Sequence, residues 1–209
     1  QTNYNLQFQI ETQIDILIVG GGGGCIGDNI NMGGGGGGGF ITAVDIDIEL
    51  NKKYSIVVGS GGNQGDGHDS SAFGLTAHGG KVGISEVYDS AYTIGTGGKG
   101  GTWSRNHEYT EVGNHTAYQG GNGGSINTND GAIVMAMSGA SSLQFINDNY
   151  NREYYWGGGG GFGTNRLITV QNDIPDGGHG GGGAGSFNSQ TGNIEYSSSG
   201  YSYGNPSEV

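Results

Sequence analysis

The stretch DILIVGGGGGCIG, residues 15–27, decides how the whole chain is read. An apolar run enters consecutive glycines, as a strand enters a dinucleotide-binding turn, and Gly22, Gly24 and Gly27 satisfy the spacing G-x-G-x-x-G. Asp45 or Asp47 lies about twenty residues on, where a ribose-binding acid stands in such folds. That fingerprint works only if a helix follows, because the helix N-terminus holds the pyrophosphate. Here Cys25-Ile26-Gly27-Asp28-Asn29-Ile30-Asn31-Met32 follows and then seven more glycines, so no helix is expected. Polyglycine satisfies any glycine pattern, and the run has to be explained by packing.

Glycine supplies 50 of 209 residues and proline only 2, which excludes a collagen-like triple helix. Hydrophobic residues make up 32%, too few for an ordinary side-chain core to carry the whole chain. The glycines recur as tracts at 20–24, 33–39, 59–62, 79–80, 97–101, 120–124, 157–163 and 177–185. Flexible linkers are one reading of such runs. Repeated return between strand-like segments favours another, in which each tract is a polyproline-II rod with three residues per turn and a rise of ~3.1 Å per residue. Such a rod has no internal hydrogen bonds, so its amides and carbonyls must bond neighbouring rods, and a β-carbon inside the bundle would collide with one. On that reading Gly22, Gly36, Gly98, Gly121, Gly159 and Gly181 are structural, and Lys99, Asn122 and His179 take outward positions on edge rods.

Between the tracts the chain reads as strands. Tyr4, Leu6, Phe8 and Ile10 alternate with polar residues, and 14–19 is a continuous apolar run. Over 40–50, Val44, Ile46, Ile48 and Leu50 share one face and Asp45, Asp47 and Glu49 the other. Asn51-Lys52-Lys53 then turns, and Tyr54, Ile56 and Val58 return as the second strand of a hairpin. Residues 132–137 and 166–170 are further strand candidates. No segment combines a 3.6-residue apolar period with capping signals. The expected fold is mostly β and irregular: a small β-rich region plus a bundle of packed polyglycine-II helices, with little or no α-helix. The organisation expected is one glycine-rich domain over 1–209, with a β-rich part at 1–58, the bundle with variable polar and aromatic loops at 59–187, and a polar tail at 188–209.

The sequence resembles the glycine-rich domain of bacteriophage tail-fibre and adhesin proteins, in which polyglycine-II rods pack as a sandwich and the loops recognise the host surface. ILIVGGGGG, YSIVVGSGG, SSAFGLTAHGG, GGGGGFG and GGHGGGGAGSF carry the likeness, over about 14–187. The tract-free stretch 131–156 and the tail after Phe187 depart from a regular pattern. The resemblance implies an extracellular or virion-surface location.

Other chemistry finds little footing. A net charge of -12 opposes nucleic acid and anionic membrane surfaces, and no apolar run is long enough to span a bilayer. The start at Gln1 shows no signal segment and fits either a trimmed chain or a secreted protein whose leader is gone. Cys25 is expected as a small buried side chain, and Asn114-His115-Thr116 is a possible glycosylation sequon at Asn114. Lys81 and Lys99 lack the following Ser or Thr of a phosphate loop. Asp66-Gly67-His68-Asp69 and 172–176 could offer oxygens to calcium but match neither the EF-hand nor the G-G-x-G-x-D roll, where Gln64 replaces a glycine; solvated turns are expected. The five histidines show no metal spacing. No catalytic constellation, metal or cofactor is expected, and the chain reads as no enzyme.

Tyr88, Tyr92, Trp103, Tyr109, Tyr118, Tyr150, Tyr154, Tyr155 and Trp156 sit in or beside polar loops. Such rings give large contact area with few rotors. They are candidates for ligand or interface contact, or alternatively for capping the ends of the glycine bundle. The function expected is a non-enzymatic structural fibre protein, extracellular or on a virion surface, assembling as a homo-oligomer. The alternative is a distal receptor-binding adhesin recognising cell-surface glycan or an outer-membrane protein through those loops.

Overall fold

A computed structural model describes residues 1–26, 31–87, 93–96, 98–106, 115–123, 125–129, 132–137, 144–146, 153–155 and 163–164. Among them the chain is β-rich and contains no helix, in line with the sequence. Two sheets face each other around one apolar cluster. The larger has the order β1 (Thr2–Gln7), β6 (Lys53–Val58), β7 (Ser70–Ala72), β8 (Leu75–Ala77), β11 (Trp103–Arg105), and the smaller β12 (His115–Tyr118), β5 (Phe40–Ile48), β2 (Thr12–Val19). All pairings within both are antiparallel. Ile18, Ile41, Ala43, Ile46, Ile48, Tyr54, Ala72, Phe73, Leu75 and Ala77 fill the space between, with Phe8, Ile14, Ile16, Ile56 and Ala117 at its margin.

Two strand readings are corrected here. Strands β5 and β6 do not form a hairpin: they belong to different sheets, and the turn between them is a corner of the sandwich. Alternation shows which face of a strand is buried, but not whether its neighbour in sequence pairs beside it or faces it across the core. The corner is held by Asn51 at φ 60°, by the Tyr54 hydroxyl accepting the Glu49 N–H at 2.8 Å, and by the Phe8 carbonyl accepting the Asn51 N–H at 3.0 Å. Val44 is exposed instead of sharing a buried face with Ile46 and Ile48. A β-bulge opposite 14–16 inserts a residue, so burial passes from Ile41 and Ala43 to Ile46 and Ile48. Asp45 takes φ 55° at the bulge, and the Asp15 carboxylate accepts its N–H at 3.1 Å.

Strands β7 and β8 are joined by Phe73 (φ 50°) and Gly74 (φ 73°), the two left-handed positions of a tight hairpin turn. A non-glycine residue there costs roughly 1–2 kcal/mol. Phe73 offsets this by burying its ring against Tyr54, centroids 4.9 Å apart.

A second β layer lies at the other end of the glycine tracts. Its sheet has the order β14 (Ala132–Met137), β13 (Ser125–Asn129), β10 (Thr93–Thr96), β9 (Gly83–Val87), β3 (Cys25–Ile26), with β3 parallel to β9. The run 132–137 is thus a strand, as read from sequence. Strand β4 (Asn31–Met32), paired with β17 (Gly163–Thr164), lies against β9, β10 and β13. A separate pair is β15 (Gln144–Ile146) with β16 (Glu153–Tyr155). The strand candidate 166–170 and the tail lie outside the described residues.

Candidate functional site

Between the two β layers run the glycine rods. Rod 1 (20–24) leaves β2 for β3, and rod 2 (33–39) returns from β4 to β5. Rod 3 (59–62) leaves β6, and after a bend at 63–65 rod 4 (66–69) leads back to β7. Rod 5 (78–83) runs from β8 into β9, rod 6 (98–102) returns to β11, and rod 7 (120–123) departs from β12. Direction therefore alternates along the chain.

The hydrogen bonds between rods have a three-residue period. Gly20 and Gly23 donate to the carbonyls of Gly39 and Gly36, whereas Gly21 and Gly24 donate to His68 and Gly65, all at 2.8–2.9 Å. Gly36 and Gly39 donate to Lys81 and His78; Gly98 and Gly101 to Gly34 and Gly37; Gly120 and Gly123 to Gly101 and Gly98. Residues three apart on one rod thus reach the same neighbour, the signature of a threefold polyproline-II helix. For the described tracts the flexible-linker reading fails, because a solvated coil has no such recurring partners. Each bond contributes about 0.5–1.5 kcal/mol net against ~1–2 kcal/mol for ordering a residue. Rods therefore need one another and the β layers to stay ordered.

Side-chain exclusion explains the glycine. A β-carbon on Gly36 would meet the Lys99 carbonyl, one on Gly98 the Lys81 carbonyl, and one on Gly80 the Gly36 carbonyl, all far inside contact distance. Apart from Gly74, the described glycines avoid positive φ, so it is space and not an unusual backbone angle that demands glycine. Gly22 differs: its β-carbon would meet only the Gly36 carbonyl, at 3.8 Å. Gly121 acts through its carbonyl, which accepts the Gly37 N–H at 2.9 Å. Gly159 and Gly181 lie outside the described residues.

Where a neighbouring rod presents a side chain instead of a carbonyl to an amide, that side chain accepts the bond. Rod 5 shows all three directions: His78 and Lys81 donate to Thr102 and Lys99, Gly80 and Gly83 donate to Gly21 and Gly24, and Gly79 and Val82 donate to the carboxylates of Asp69 and Asp66 at 2.9 and 2.8 Å. The two acids are three residues apart on rod 4, so the period of one rod serves that of the next. Asp66 also binds the Lys81 ammonium at 2.7 Å and Asp69 the His78 ring at 2.9 Å. Asp66-Gly67-His68-Asp69 is therefore a latched edge rod, which corrects the expectation of a solvated turn. The hydrogen bond from Lys81, helped by the Val82 N–H, holds Asp66 below the usual aspartate value and raises Lys81 in return. Burial works to raise Asp69 but is outweighed by the bonds from the Gly79 N–H and His78, so it too is lowered. On the opposite edge Asn122, exposed, accepts the buried Gly100 N–H at 2.9 Å, and Lys99 is exposed; both hold outward positions as read from sequence.

A family profile for the glycine-rich domain matches residues 1–204. The chain belongs to the glycine-rich domain family. No curated protein and no solved structure matches this glycine-rich domain.

Of the aromatic candidates, Trp103 stands in β11, 43% exposed, with its ring edge-on to His115 at 5.6 Å. Tyr118 lies in β12 opposite Phe40, and Tyr154 and Tyr155 lie in β16 opposite Phe145 and Gln144. Tyr88, Tyr92, Tyr109, Tyr150, Trp156, His179 and the sequon residue Asn114 fall outside the described residues. The aromatic residues that are buried among the described ones are Phe40, Tyr54 and Phe73, none of which stood among the candidates; Tyr54 and Phe73 belong to the apolar cluster of the sandwich, and Phe40 opens β5 directly after rod 2. Their signal was placement: Phe40 directly follows a glycine tract, and Phe73 precedes the glycine of a two-residue turn. Cys25, expected buried, is only half-buried, because the two-residue strand β3 lies at the sheet margin. Among the described residues no helix is long and apolar enough to cross a membrane, and no three His, Cys, Asp or Glu side chains cluster as metal ligands would.

Proposed function

We propose that this glycine-rich domain is a non-enzymatic structural fibre protein, extracellular or on a virion surface, working in a homo-oligomeric assembly. The supporting observation is the bundle itself. Rods cross-bonded every third residue hold two β layers apart as one stiff body, and their interior consists of peptide groups with no side chain available for chemistry. Edge strand β1 favours assembly: its six residues carry no charge or proline to discourage pairing, and Tyr4 and Leu6 are 57% and 41% exposed. Light scattering tests this reading, which expects a mass above that of the monomer; a monomer at all concentrations contradicts it.

One observation favours the adhesin as a second reading. Trp103, exposed and backed by His115, offers a rigid ring of the kind that contacts ligands. Under that reading Trp103→Ala abolishes binding to whole host cells and leaves the fold intact. Neither reading gives the chain a nucleic-acid partner, a membrane-inserted segment or a cofactor, and the charge of -12 agrees with the first of these.

A further inference from the structure

Strand β1 ends the larger sheet, and among the described strands only β6 pairs with it. All six of its residues are exposed, Tyr4 and Leu6 included. Tyr4 stands opposite Ile56 and Leu6 opposite Tyr54, and opposed residues of an antiparallel pair point to the same face. Tyr54 is buried in the apolar cluster and Ile56 packs at its margin, so Tyr4 and Leu6 continue the core face of the sheet. The smaller sheet stops short of them, because its edge strand β2 lies over β7 and β8. A row of backbone groups without a paired strand and an apolar overhang thus coincide on β1.

Charge and symmetry both select the occupant. With nineteen acidic against seven basic side chains, two copies of the chain repel one another. Strands β1 and β6 carry no acid and a single lysine, Lys53, so this edge is where approach meets the least repulsion. The sequence of β1 is also complementary to itself. In an antiparallel pair with Asn5 on a twofold axis, Tyr4 falls opposite Leu6 of the second copy, Leu6 opposite its Tyr4, and Asn3 opposite its Gln7. Both apolar rows then share one face and both amide rows the other, whereas a slip of one residue sets apolar side chains against amides.

We infer that two copies of this glycine-rich domain join edge to edge through β1, in an antiparallel pair centred on Asn5 that continues the larger sheet across a twofold axis. The inference rests on the homo-oligomeric reading above and gives it a surface and a symmetry. Each β1 supplies the other with partners for its outward backbone groups, and each Tyr4 and Leu6 is covered by the other copy's Leu6 and Tyr4. Because the same patch serves both copies, this contact closes at a dimer, and growth beyond two copies uses another surface.

Charges placed on the axis test the inference by sedimentation of the full chain. Asn5→Lys sets two ammonium groups directly opposite one another in the dimer, and Asn5→Asp two carboxylates. Each variant alone is expected to raise the dimer dissociation constant more than about tenfold, and an equimolar mixture of the two is expected to recover the dimer as a heterodimer. Asn5 is exposed in the single copy, and recovery on mixing further shows that neither variant has lost its fold. An assembly whose mass is unchanged in both variants overturns this inference and leaves the homo-oligomeric reading standing. Loss of the dimer without recovery on mixing overturns the pairing centred on Asn5. An unaltered chain that is monomeric at every concentration overturns the inference and the homo-oligomeric reading together.

Discussion

The carbonyl of Lys99 occupies the place that a β-carbon on Gly36 would need. The obstacle is backbone on a hydrogen-bonded rod, so it cannot rotate aside as a side chain would. Gly36→Val is therefore expected to destabilise by more than the ~1–3 kcal/mol usual for overpacking, and to unfold a marginal domain. Gly65→Ala is the control: nothing stands within 4 Å of its β-carbon position, and a change within about ±0.5 kcal/mol is expected. Thermal unfolding of the two variants checks the contrast, and equal effects would contradict it.

Asn122, on rod 7, supplies a side-chain acceptor for one amide of rod 6. Asn122→Ala leaves the buried Gly100 N–H without its 2.9 Å acceptor and is expected to destabilise by about 1–3 kcal/mol. Asn122→Asp keeps an oxygen in place and is expected to be far milder. The urea midpoint of each variant, at unchanged slope, is the measurement.

The rod 4 latch makes stability depend on acid. Asp66 and Asp69 titrate below the ordinary value of 3.8 in the folded chain, so folding favours their charged forms. Their contribution is complete above that value and is lost as the pH falls through the lower folded values. Both pairs are well exposed, and the effect is accordingly modest. Melting temperature is expected to drop on going from pH 5 to pH 2, with a shallower drop in Asp66→Asn/Asp69→Asn, whose amide oxygens still accept the Gly79 and Val82 N–H groups. Identical acid limbs would remove the latch from the account.

Tyr54 ties the corner between the two sheets. Tyr54→Phe keeps the ring against Phe73 and Phe8 but removes the acceptor of the Glu49 N–H. A loss of about 1 kcal/mol is expected in chemical denaturation, because that amide, next to the turn, partly regains water.

Much of this architecture is legible in the residues. The tracts announce rods because only glycine lets peptide groups touch, and the alternation in 40–50 announces a half-buried strand. What stays hidden depends on partners in space. Nothing local tells Tyr54 that it faces Ile46 and Ile48 across a core and does not pair beside them. The bulge that exposes Val44 arises from a register set with β2. Asp66 and Asp69 carry a three-residue period, yet two acids at that spacing mean nothing until a rod runs past them. Gly22 reads like every other tract glycine, and only the packing separates it from Gly36. Of the candidate site, Trp103 is exposed although it stands in strand β11, whereas the buried rings Phe40, Tyr54 and Phe73 lie in strands and a tight turn and not in the polar loops.

Naked backbones bond one another across rods at every third residue. Through-hydrogen-bond scalar couplings in NMR read this directly, nitrogen to carbonyl carbon. Couplings are expected from Gly36 to Lys81 and from Gly39 to His78, with Gly23 coupled in turn to Gly36. Absence of all three, with these glycines showing random-coil shifts, would contradict it.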